Sequence, residues 1–112
     1  MKLTIKRAAL LKILSLAYEA VPVKSTEPAF VNYLIDISNE NIEILASDGN
    51  ITIKGVIPKT SDDVINSVPG KIQVPAKYLL DIMRKLEGEV VTISLIETSM
   101  LNIADDRSNF NL

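Results

Sequence analysis

Gly70-Lys71-Ile72-Gln73-Val74-Pro75-Ala76-Lys77-Tyr78-Leu79-Leu80-Asp81-Ile82-Met83-Arg84-Lys85-Leu86 reads as a short strand, a proline corner and an amphipathic helix. Lys71, Gln73 and Pro75 alternate with Ile72 and Val74, the period of a strand. Pro75 suits the junction, because a helix start has no use for the N–H that proline lacks and accepts its fixed φ. Beyond it, Leu79, Ile82, Met83 and Leu86 fall on one stripe at the i, i+3, i+4, i+7 spacing, and Lys77, Asp81, Arg84 and Lys85 fall opposite.

The same unit opens the chain. Lys2 to Lys6 alternates like a strand, and Arg7 to Tyr18 follows as a helix. Its stripe is Leu10, Leu14, Ala17 and Tyr18, widened by Leu11 and Ile13, with Lys12 opposite and small Ala8 and Ser15 beside it. Three strand-like runs follow each helix. After the first they are Phe30–Ser38, Ile42–Ser47 and Ile51–Ile57; after the second, Glu89–Ile96, Met100–Ala104 and Asn109–Leu112. Asp48-Gly49-Asn50 marks a hairpin, since Gly49 accepts a positive φ. Lys59 to Pro69 reads as a polar loop. The chain is therefore two copies of strand–helix–strand–strand–strand, an α+β architecture fixed by an internal repeat.

Composition narrows the chemistry. At 112 residues the chain is one domain with room for a core. It has no cysteine and no histidine, which excludes disulfides, thiol nucleophiles and the commonest general base and metal ligand. No apolar run reaches the length of a membrane span, and the N-terminus lacks a signal-peptide pattern, so no membrane partner is expected. The formal net charge of −2 hides an uneven distribution. Residues 6–18 hold Lys6, Arg7 and Lys12 with no acid, and residues 76–86 hold Lys77, Arg84 and Lys85 against Asp81. The remainder has six basic and thirteen acidic residues. Basic helices beside acidic strands and loops suit a polyanion partner; ordinary solvated helix faces would look the same by charge alone.

Several short matches then coincide. They are Met1-Lys2-Leu3-Thr4-Ile5 with Leu10-Leu11, Ala46-Ser47-Asp48 before a hairpin, Val56-Ile57-Pro58-Lys59, Val74-Pro75-Ala76-Lys77, Ile82 through Leu86, and Arg107-Ser108-Asn109-Phe110-Asn111-Leu112. In that order and spacing the chain resembles, over its whole length, the first domain of the bacterial sliding clamp, the β subunit of DNA polymerase III. The resemblance implies the DNA-clamp fold, with antiparallel sheets outside and two helices packed on one side. It implies a non-catalytic processivity factor that uses no cofactor or metal. Such a clamp encircles duplex DNA as a head-to-tail homodimer ring, tethers the polymerase and is opened by a clamp loader. The expected location is the cytoplasm, beside the nucleoid. The alternative is a truncated clamp-like module that pairs with a clamp edge without encircling DNA.

Two features depart from the family. The segment before the first long strand reads Glu27-Pro28-Ala29-Phe30 instead of a Pro-Ile/Val-Leu run. The second and third domains are absent, and with them the pocket for polymerase and loader peptides. Because the last strand still alternates when the chain stops, a fragment of a longer chain or a shortened reading frame is expected.

The resemblance also supplies site residues. Lys24 matches a loop arginine that touches DNA, keeping the charge but not the guanidinium fork. Lys12, Lys77 and Arg84 lie on the polar helix faces as expected DNA contacts, with Arg7 and Lys85 weaker candidates. Contacts to a sliding duplex should be electrostatic and indifferent to sequence. Arg107, Phe110 and Leu112, with Tyr78 and Ile82 on the adjacent helix flank, match the dimer edge. Asp62-Asp63 and Asp105-Asp106 are carboxylate pairs, but both sit in turns, where Asp is expected for backbone reasons.

Overall fold

A computed structural model of the chain describes residues 1–22, 31–97 and 99–112. Nine strands and two helices follow in the order β1 (Lys2–Lys6), α1 (Arg7–Ala17), β2 (Asn32–Ile37), β3 (Asn41–Ser47), β4 (Thr52–Pro58), β5 (Val64–Val68), β6 (Gly70–Pro75), α2 (Ala76–Lys85), β7 (Val90–Ile96), β8 (Met100–Ala104) and β9 (Asn109–Asn111). A 3-10 turn, Tyr18–Ala20, extends the first helix slightly past the expected end. The expected repeat is present: β1-α1-β2-β3-β4 and β6-α2-β7-β8-β9.

The repeats exchange their first strands. One sheet runs β5-β1-β7-β8-β9 and the other β4-β3-β2-β6. Thus β1 pairs with β7 of the second repeat, Leu3 opposite Ile93, and β6 pairs with β2 of the first, Ile72 opposite Ile35. The registers match position for position. Lys6 and Pro75, each the residue before a helix, face Val90 and Asn32.

Both strands run into their helices without a loop, so the first helical N–H groups need partners elsewhere. Neither helix has a side-chain cap. In the first repeat the Arg7 N–H donates to the Glu89 carbonyl at 2.8 Å and the Lys6 N–H to Asp63 at 2.9 Å. In the second, Pro75 (φ −58°, ψ 119°) has no N–H to satisfy.

Alternation puts Leu3, Ile5, Tyr33, Ile35, Ile37, Ile42, Ile44, Val91, Ile93, Leu101 and Ile103 on the inner sheet faces. Leu10, Ile13, Leu14 and Ala17 of α1 and Ala76, Leu79, Leu80 and Met83 of α2 close the core over them. The stripe of α2 is rotated from the expected one: Leu80 is buried and Ile82 only half-buried. The reason is Ala76, which sits on the same side as Leu80 and lets the helix turn that flank inward. The Tyr33 hydroxyl, inside the core, donates to the Leu14 carbonyl of α1 at 2.8 Å.

Two expectations are corrected. The stretch Lys59–Pro69 is not all loop: Val64–Val68 forms β5 against β1. The register slips between Thr4 and Ile5, leaving Ile65 as the extra residue of a bulge, and the position opposite buried Leu3 falls to Ser67. Ile65 and Val68 are exposed, so the strand shows no apolar alternation. Ile51 is not a strand residue but a 60% exposed turn residue, whose carbonyl accepts the Asp48 N–H. Gly49 (φ 95°) makes that turn as expected.

Candidate nucleic-acid interface and strand edges

The helix layer carries the cations singled out by sequence. Lys12 is exposed on α1, and Lys77, Arg84 and Lys85 are exposed on α2, with Asp81 half-buried among them. The ion pairs among the described residues are Lys6–Asp63, Lys54–Glu43 and Lys71–Asp36, and none involves α2. Lys24 lies outside the described residues.

Arg7 is placed differently from the other cations. Its Nε donates to the Gly88 carbonyl at 2.9 Å, while the Gly88 N–H donates to Asp105 Oδ2 at 3.0 Å. Asp105 Oδ1 accepts the Arg107 and Ser108 N–H groups at 2.9 and 2.7 Å. One carboxylate therefore ties the β8–β9 turn to the α2–β7 loop, and Arg7 ties that loop to the start of α1. The backbone N–H of Arg107 foremost, then that of Gly88, holds the Asp105 carboxyl below its ordinary pKa. Asp48 is lowered in the same way, by the N–H groups of Ile51 and Asn50. These are turn-building carboxylates, and no group of three or more metal-ligating side chains occurs among the described residues.

The acidic excess sits mostly in turns rather than on strands. The strand carboxylates Asp36 and Glu43 each pair with a lysine on the outer face of their sheet, at 3.6 and 2.9 Å. Arg84 also reaches inward electrostatically. Burial raises the Tyr33 hydroxyl pKa and Tyr18 adds to the shift, whereas Arg84 opposes it.

The dimer-edge candidates lie on two elements, β9 with the turn before it and α2. β9 is the edge of its sheet. Phe110 stands opposite buried Ile103, on the helix side, and remains 36% exposed. Leu112 packs partly against the core, and Tyr78 and Ile82 lie on α2, 61% exposed and half-buried. Arg107 is exposed in the turn before β9. On the outer face, Asn102 Nδ2 donates to the Asn109 and Asn111 side-chain oxygens.

The structure also holds a feature that sequence reading passed over. A groove of about 450 Å³ runs between α1 and β4, walled by Ala9, Ile13, Leu16, Gly55, Val56 and Ile57. Lys12, Lys54 and Asp63 rim it. Gly55 is buried beneath Ile13. An isolated glycine within a strand is the available signal for such a close approach.

Among the described residues no helix is long and apolar enough to cross a membrane. The family model described as the DNA polymerase III beta subunit, N-terminal domain, matches residues 1–112. The chain is 33% identical over 115 aligned residues to a beta sliding clamp of Staphylococcus aureus, covering all of this chain and 30% of that protein. A solved DNA polymerase sliding clamp from Bacillus subtilis superposes with a TM-score of 0.93 at 27% identity, covering 99% of this chain and 30% of that one. The sliding clamp of Caulobacter crescentus gives 0.86 at 34% identity, with 99% and 29% covered. The chain thus spans about 30% of the length of the relatives it matches.

Proposed function

The chain belongs to the family of DNA polymerase III beta subunit N-terminal domains, and from that premise we propose that it serves as the first domain of a DNA sliding clamp. In this reading it is a non-catalytic processivity factor that works in the cytoplasm beside the nucleoid. The observation that carries it is the exposed cations Lys12, Lys77 and Arg84 on the helix layer, where Asp81 is the one carboxylate of α2, while most other carboxylates among the described residues sit in turns. A duplex held against that layer meets ammonium and guanidinium groups on flexible stems, which suit phosphates and leave base edges unread. Arg7 contributes by position rather than by contact, since its guanidinium is tied to Gly88. Lys24 supplies a further DNA contact in this reading. The β9 edge, with Arg107, Phe110, Leu112, Tyr78 and Ile82, joins a second subunit head to tail. In this reading polymerase and clamp loader engage the family's second and third domains.

Fluorescence anisotropy of a labelled duplex across a salt series tests the DNA reading. The expected result is weak, sequence-indifferent binding, with a log–log salt slope of about one unit per phosphate contacted. Lys12→Glu with Arg84→Glu should abolish it and leave the melting temperature nearly unchanged, because both side chains are exposed. Sequence-selective binding, or binding indifferent to this double reversal, would overturn the reading. A second reading keeps the fold and drops the DNA: a module that caps the edge of a longer clamp. Among the described residues β9 is the edge of its sheet, which favours it, and co-sedimentation with a full-length clamp in the absence of DNA separates the two.

A further inference from the structure

Arg7 holds the α2–β7 loop twice. Its backbone N–H donates to the Glu89 carbonyl at 2.8 Å, and its Nε–H donates to the Gly88 carbonyl at 2.9 Å. Arg7 is the first residue of α1, and the loop leaves the end of α2. The two bonds therefore fix the start of one helix to the exit of the other. The guanidinium also lies just past the C-terminus of α2, where a helix favours a cation.

Gly88 is held from its other side as well. Its N–H donates to Asp105 Oδ2 at 3.0 Å. A Cβ at position 88 would stand 2.9 Å from Asp106 Oδ1 and 3.0 Å from the Asp105 Cβ, so loop and turn meet at one close spacing. Turn building accounts for only half of this carboxylate. Asp105 Oδ1 alone accepts the Arg107 and Ser108 N–H groups, just as Asp48 Oδ1 accepts those of Asn50 and Ile51 in the hairpin of the first repeat. Asp105 Oδ2 is the oxygen that reaches a different element.

We propose that Asp105 is a positioning residue for the duplex face: through Gly88 and Arg7 it fixes the offset between the cations of α1 and those of α2. This rests on the DNA reading above. Lys12 belongs to α1, and Lys77 and Arg84 belong to α2. Phosphates spaced along a duplex meet all three at once when the helices keep their offset, and a held offset spares the cost of ordering them on binding. Asp105 itself touches no phosphate in this scheme, and its own charge repels a polyanion. Its charge and its geometry thus act on duplex affinity with opposite signs, which makes them separable.

Fluorescence anisotropy of a labelled duplex at low salt, with NMR of the Arg7 Nε–H, tests this. Asp105→Asn keeps one oxygen for the turn, replaces the other by an amide that cannot accept from Gly88, and removes a negative charge. By charge alone it should bind duplex more tightly, as Asp62→Asn should at its exposed site. The expected result is the reverse: affinity at least about twofold below wild type. The Arg7 Nε–H should exchange at least about tenfold faster, although Asp105 does not touch it. Gly88→Ala changes no charge and should have both effects. In an Arg7→Met background the relay is already cut, so Asp105→Asn should there tighten binding as Asp62→Asn does. Three results would each overturn the proposal and leave the DNA reading standing. They are an Asp105→Asn variant that binds as tightly as Asp62→Asn, an unchanged Arg7 Nε–H exchange rate, and a loss of affinity that persists in the Arg7→Met background. A wild type that ignores duplex removes both.

Discussion

Ile13 of α1 rests directly on Gly55 of β4, so closely that a Cβ at position 55 would overlap the isoleucine side chain. That contact sets how near the first helix lies to its sheet. Gly55→Ala should therefore destabilise the fold by about 1–3 kcal/mol, the usual cost of overfilling a packed site. In a domain of this size each kcal/mol lowers Tm by about 4–8 °C. Adding Ile13→Ala should recover part of the loss, giving a non-additive cycle in thermal unfolding. Additive losses would mean that the two residues do not press on each other.

The Tyr33 hydroxyl supports the carbonyl of Leu14 near the end of α1. Tyr33→Phe keeps the ring and removes the donor, and it should cost about 1–2 kcal/mol in urea unfolding. Burial raises this hydroxyl's pKa above the ordinary tyrosine value, so its neutral form is favoured in the folded state. The raised group contributes stability below the unfolded tyrosine pKa of about 10, and that contribution fades as alkaline pH rises through the folded value. Tyr33→Phe should flatten that alkaline loss.

Ser67 is a buried polar side chain on the bulged strand β5, and among the described residues its Oγ has no hydrogen-bond partner. Ser67→Ala should raise stability by up to about 1–3 kcal/mol, because an unsatisfied hydroxyl is removed and nothing is lost in exchange. A fall in Tm would show that the hydroxyl is satisfied in solution.

The lowered pKa of Asp105 gives a sign for acid behaviour. Its contribution is fully present above the unfolded carboxylate value of about 3.9 and is lost as pH falls through the depressed folded value. Asp105→Asn should reduce stability at neutral pH and remove part of the acid sensitivity below about pH 4. Unfolding midpoints measured from pH 7 to pH 2 check both arms. Asp62, which accepts no comparable set of N–H groups among the described residues, serves as the control.

Much of this was legible along the chain because it is local. Pro75 marked a strand-to-helix corner, Gly49 marked a hairpin, and the alternation of Tyr33, Ile35 and Ile37 marked a buried face. β5 was hidden because its bulge turns Ile65 outward and gives an inner position to serine. Ile51 looked like a strand residue because alternation cannot tell the last turn position from the first strand position. Of the site, the exposure of Lys12, Lys77 and Arg84 follows from helical spacing. The tether of Arg7 to Gly88 does not, since it joins residues far apart in sequence. The α1–β4 groove likewise needs the packing of a helix on a strand from another part of the repeat.

The exchange of first strands has a consequence for the order in which this chain can mature. β1 is made first, yet it lies between β5 and β7, so it cannot be flanked on both sides until Val90 to Ser94 have been synthesised. Neither repeat can close its own sheet, and a polypeptide cut between β4 and β5 should leave two halves that gain structure only when mixed. Such long-range pairing makes for slow, cooperative folding. During translation the amino-terminal strand is thus an apolar ribbon waiting for its partner, and the interval in which it could meet another nascent chain ends only when β7 has emerged.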